Sequence, residues 1–174
     1  MSSSNLFRWS GLATILGGAL LPISWILRFI FSISRPYTGT IEFIASILLV
    51  FGFMGIYSFQ HKQIGVLGFL GFLLLIIHSG AALGECWLQN GELTGAAVVL
   101  APIVGVTMLL GFILLGIGSW QANKLPRWAI VLWVIGGLLI VPGFAFQPIM
   151  VVIGGIIQGI GVIAAGVYLW MGKY

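Results

Sequence analysis

The chain has 174 residues, 60% of them hydrophobic and only 6% charged, where an ordinary soluble domain carries about 25% charged residues. Ten Lys, Arg, Asp and Glu side chains cannot cover the surface of a soluble protein of this size, so a soluble globular domain and a disordered chain are both excluded. The net charge of +4 comes from scattered residues; with no Lys/Arg run to track phosphates, nucleic-acid binding has no support.

Lipid is the solvent that suits this composition. A spanning helix needs roughly 20 mostly apolar residues, and six stretches qualify, at about 9–31, 40–59, 64–83, 95–118, 128–146 and 149–171. The expected fold is therefore an all-α six-helix transmembrane bundle occupying residues 1–174 as one integral membrane domain. The apolar runs are continuous and lack the period-2 alternation of a membrane barrel.

The first stretch, which follows Arg8, is longer than a signal-peptide core and has no A-x-A-type site after it, so it reads as a retained helix. The fifth is the least regular, because Pro142 and Gly143 interrupt it.

Six crossings put both termini on one side. That side holds Arg8, Lys62, Lys124, Arg127 and Lys173, five of the seven basic residues. The other side holds Arg28, Arg35 and all three acids, Glu42, Glu85 and Glu92. Short loops rich in Lys and Arg stay in the cytoplasm, so the expected arrangement is N-in and C-in across the cytoplasmic membrane. Trp9, Phe59, Trp120, Trp128, Trp170 and Tyr174 fall near the inner boundary, a level that amphipathic rings favour.

The chain also echoes itself. Residues 48–60 and 109–121 agree at seven of thirteen positions at a constant offset of 61. Arg8-Trp9 leading to Gly17-Gly18 is matched by Arg127-Trp128 leading to Gly136-Gly137. Two readings stand: three parallel helical-hairpin repeats, or chance similarity among chains drawn from few letters. Gly65, Gly68 and Gly71 in the third stretch, and Gly155 and Gly159 in the sixth, have the spacing that lets membrane helices approach closely.

Polar residues within lipid are the natural candidates for function. Here they are Arg28, Glu42, His78, Glu85 and Gln158. His78 lies about 21 Å from the inner end of its helix at 1.5 Å per residue, and Gln158 lies near the midplane. Pro22, Pro102 and Pro142 all fall in outer halves, where a missing backbone donor tends to kink a helix. Together these features point to an outward-facing polar cavity. Each also has a plainer reading. Arg28 and Glu42 can pair at the interface, His78 can bond a neighbouring carbonyl, Gln158 can bridge two helices, and Glu85 can be solvated beside Cys86.

Several chemistries lack their signatures. No lysine lies deep enough in a helix for a retinal Schiff base, and His61 falls in a loop, so a two-histidine haem has one ligand at most. H-E-x-x-H and G-x-S-x-G are absent. There is no aspartate, which removes Ser-His-Asp triads. One cysteine supports neither an internal disulfide nor a cysteine metal cage.

No catalytic residue, metal ligand or cofactor is therefore assigned. The leading expectation is a non-enzymatic packing or binding protein. It would hold a partner subunit, a second copy of itself or a lipid-like molecule, with the lipid bilayer as its constant partner and a homo-oligomer or larger membrane complex open. The alternatives are a small-solute or ion transporter using His78, Glu42 and Arg28, and a quinone- or pigment-binding redox subunit using His78.

The sidedness is checked at Cys86. A membrane-impermeant thiol reagent is expected to modify it in intact cells, with any outer envelope permeabilised. Modification only in inverted vesicles would reverse the orientation.

Overall fold

In the computed structural model the backbone is described for residues 3–89 and 94–172, and side chains for residues 5–84, 102–144 and 146–172. The regular elements among the described residues are all helices: α1 Ser3–Phe29, α2 Arg35–Gln60, α3 Gly65–Gln89, α4 Thr94–Ala122, α5 Arg127–Phe146 and α6 Pro148–Trp170. All six contain a segment long and apolar enough to cross a membrane.

Local chemistry explains the breaks. Pro36 and Pro148 stand in the first turns of α2 and α6, where a missing N–H leaves no bond unmade. A residue before proline avoids the helical region. Gln147 accordingly sits extended at φ −149°, ψ 108°, and it alone joins α5 to α6. Asn123, at φ 51°, ends α4 in the left-handed conformation that asparagine tolerates. Gly65 enters α3 at φ +66°, which favours glycine.

Two expectations shift. Pro142, expected to interrupt the fifth helix, lies inside α5, and the turn is made instead at Gln147-Pro148. α2 begins at Arg35 rather than near residue 40, which places Glu42 about two turns into the helix rather than at its start.

Each helix packs against its neighbours in sequence, and α6 closes the ring against α1. The pairings α1–α2, α3–α4, α5–α6 and α6–α1 are extensive, while the seams α2–α3 and α4–α5 are looser. The molecule is thus a four-helix layer, α5-α6-α1-α2, with the α3–α4 hairpin set against it.

Glycine sets the tight pairings. Gly154 and Gly161 of α6 face α5, where added Cβ atoms would lie 2.8 Å from the Gly136 carbonyl and 2.5 Å from that of Ala129. Gly159 and Gly166 face α1, 2.7 Å from the Gly18 carbonyl and 2.8 Å from that of Gly11. Across α3–α4, a Cβ on Gly118 would lie 2.5 Å from the Gly68 Cα, and one on Gly71 would collide with the Leu115 backbone nitrogen. Lipid tails are as apolar as leucine, so close van der Waals fit must hold such helices together.

The core contains Trp133, Phe53, Ile56, Leu75, Leu115 and Ile140, all nearly inaccessible. A buried polar tie crosses it: Gln60 Nε2 donates to Ser119 Oγ at 3.2 Å. The outside is apolar as well. Phe51, Val66, Ile77, Val106, Leu138 and Ile153 are exposed on the bodies of the helices, a surface suited to lipid and unsuited to water.

Several matched residues of the internal echo have different surroundings. Gln60 and Leu49 are buried whereas Gln121 and Leu110 are exposed, and Phe51 is exposed whereas Phe112 is buried.

Gly71→Ala is expected to destabilise the hairpin by about 1–3 kcal/mol through overpacking against backbone. At roughly 2–4 °C per kcal/mol in a chain of this size, a thermal melt in detergent should fall by several degrees. Gly80→Ala, where a Cβ meets nothing within 4 Å, is the neutral control.

Candidate functional site

The four-helix layer and the α3–α4 hairpin do not close completely. A cavity remains between them, bounded mainly by α1, α2, α3, α4 and α6, with Phe144 as the contribution of α5. It holds about 950 Å³ of empty space, its open side included.

Arg28, Glu42, His78 and Gln158 all line this cavity. Four helices supply them, and their chain separations show that only the tertiary fold brings them together. The side chains of Glu85, Cys86 and Glu92 lie outside the described residues.

The charged end of the cavity lies toward the α1–α2 connection. Arg28 is in the last turn of α1, its guanidinium carbon 5.0 Å from the Phe29 ring centroid, a favourable cation–π arrangement. Arg35, the first residue of α2, lines the same region.

Glu42 follows about two turns down α2 and is half-buried. The Ser24 hydroxyl of α1 lies 3.3 Å from Glu42 Oε1 and 2.7 Å from its own helix's Leu21 carbonyl, so it has two acceptors within reach.

Deeper, about 15 Å from the ends of their helices at 1.5 Å per residue, lie His78 and Gln158. His78 Nδ1 is 3.0 Å from the Val104 carbonyl of α4. A carbonyl only accepts, so Nδ1 carries the hydrogen and donates it, pinning the ring across the hairpin. Gln158 is 5% exposed and its amide nitrogen has no hydrogen-bond partner. A Cβ on Gly137 would lie 3.8 Å from that nitrogen and 3.8 Å from the Phe112 Cβ.

Aromatic rings complete the walls. Trp25 stands edge-on to Phe144 at 6.0 Å and packs over Gly155, where a Cβ would collide with its ring. At the deep end Phe53 and Phe112 meet edge to face at 5.7 Å, about 27 Å down α2 and α4.

The sequence reading named four of these polar residues and passed over Arg35, Ser46 and Ser79, and the aromatic wall. Arg35 reads as a loop residue until α2 is seen to start there. Ser46, Leu49 and Phe53 continue the stripe begun by Glu42 at four-, three- and four-residue steps, a helical spacing that marks one face. Among the described residues no group of three His, Cys, Asp or Glu side chains gathers. The residues that line the cavity supply hydrogen bonding, charge and apolar contact.

No known family, curated protein or solved structure matches this chain.

Gln158→Leu provides a test of this arrangement. Burying an amide without a partner costs about 1–3 kcal/mol. The apolar replacement of similar size is therefore expected to leave the melting temperature unchanged or raise it by a few degrees. A marked fall would mean that the amide is satisfied in the folded protein.

Proposed function

We propose that this multipass protein is non-enzymatic and binds a lipid-like molecule in the cavity. Both termini lie in the cytoplasm and the cavity opens toward the opposite face. The observation that carries the reading is the convergence of Arg28, Glu42, His78 and Gln158 on one space within an otherwise apolar bundle. Polar groups are costly in lipid.

A molecule with a polar head and an apolar body fits the gradation from charged end, through a neutral polar layer, to aromatic floor. The meeting of Phe53 with Phe112 at the deep end favours retention over passage, and so favours a binding protein over a channel. On this reading the three hairpins are parallel repeats that have diverged, with the middle one forming one wall of the cavity.

The protein, extracted in mild detergent and examined by native mass spectrometry, is expected to carry one small amphiphile per chain. Ala82→Trp, which builds an indole into the α3 wall, should lower that occupancy by about tenfold, a loss of about 1.4 kcal/mol in binding, while the melt stays close to that of the parent. A parent protein that carries no small molecule, and instead retains only another protein chain, would overturn the reading in favour of a subunit role.

A further inference from the structure

The hydrogens in the middle of the cavity narrow the class of molecule that it takes. Ser46 is 7% exposed and Ser79 is 2% exposed. Each has its hydroxyl within reach of a carbonyl of its own helix: Ser46 donates to the Glu42 carbonyl at 2.9 Å, and Ser79 to the Leu75 carbonyl at 2.9 Å. His78 donates from Nδ1 to the Val104 carbonyl at 3.0 Å. With those hydrogens placed, what remains on the three side chains is acceptor capacity: two hydroxyl oxygens and, in the neutral ring, the Nε2 lone pair.

All three line the cavity. They lie at similar depth, below the arginines and above the Phe53–Phe112 floor. Gln158 also lines the cavity at this level, but its amide nitrogen is fully buried and unpartnered.

We infer, building on the amphiphile reading above, that the cavity selects a neutral hydroxyl-bearing amphiphile, an alcohol or phenol, over the corresponding ether, ester or ketone. A hydroxyl both donates and accepts. Its one hydrogen goes to one of the acceptors that His78, Ser46 and Ser79 hold at this depth. A ketone or ester has only acceptors, and against His78 it would set lone pair to lone pair. An ammonium group also donates, but two guanidiniums and one carboxylate line this space, and their balance of charge opposes a cation.

The test uses two probes of nearly the same shape, 4-hexylphenol and its methyl ether 4-hexylanisole. Binding to the full chain in nanodiscs is followed by tryptophan fluorescence and thermal shift, and corrected for partitioning into empty nanodiscs. The phenol is expected to bind about tenfold more tightly than the ether, the scale of one hydrogen bond made in a dry site.

In His78→Asn the amide nitrogen takes the place of Nδ1 and keeps the bond to Val104, but nothing stands where Nε2 was. The preference should therefore vanish while the melt is retained. His78→Gln, which restores a polar group at the Nε2 position, should recover it.

Equal binding of the two probes, or a preference that survives in His78→Asn, overturns the inference and leaves the amphiphile reading standing. So does failure of both probes to bind a protein that still co-purifies with a small molecule. Failure of both with nothing co-purifying overturns the two readings together.

Discussion

Backbone-to-backbone approach along α6 is the constraint on which the architecture depends. Where solvent is itself apolar, burying leucine against leucine gains little, and helices associate by bringing main chains close enough for dense van der Waals contact. α6 does this on two faces, with Gly154 and Gly161 toward α5 and Gly159 and Gly166 toward α1. It is accordingly the most buried of the six spans. The layer built around it presents a fixed surface, and the hairpin opposite has its own close seam at Gly68, Gly71 and Gly118. Between two well-packed bodies joined by looser seams, a space is left over, and the cavity is that space.

The polar side chains fall where this geometry puts them at least cost. A charged or amide group facing lipid has no partner, whereas one facing an internal space can meet water, a ligand or another helix. His78 shows the effect at atomic scale. Its bond to Val104 joins the two helices of the hairpin, so the ring is held by the same body that presents it. Ser24 joins α1 to α2 at Glu42 in a comparable way. At His78 and Glu42 the cavity wall therefore holds side chains tied to a neighbouring helix, a condition for selective rather than general binding of apolar molecules.

Much of this was legible in the sequence, for a physical reason. Spanning helices are set by length and hydropathy, which are local properties, so the six stretches appear without knowledge of packing. Their ends are less legible. The turn at Gln147 depends on the backbone restriction before Pro148, a signal weaker to the eye than Pro142 inside the helix. Arg28, Glu42, His78 and Gln158 stand out because polar residues are rare in such company. Ser46 and Ser79 do not, since a hydroxyl that bonds its own helix carbonyl is easily accommodated in lipid and looks the same on any face. Trp25 and Phe144 are equally ambiguous, because aromatic rings suit lipid, core and cavity alike. The echo between residues 48–60 and 109–121 illustrates the limit: near-identical letters at Gln60 and Gln121 face core and exterior, since which side of a helix faces inward is decided by the partners it meets.

The contact between α1 and α6 near Pro22 reaches further than packing. A proline has no N–H, so Pro22 leaves the carbonyl four residues earlier, at Gly18, without its helical donor. That oxygen lies toward Gly159, 2.7 Å from where a methyl carbon would stand, so the glycine offers a C–H along the same line. Contacts of this kind contribute about 0.5–1 kcal/mol each. An alanine at 159 would therefore do two kinds of harm at once, colliding with the oxygen and removing the weak donor that compensates an orphaned acceptor. The proline of one helix and the glycine of another are in this sense a single feature divided between two strands of sequence more than a hundred residues apart.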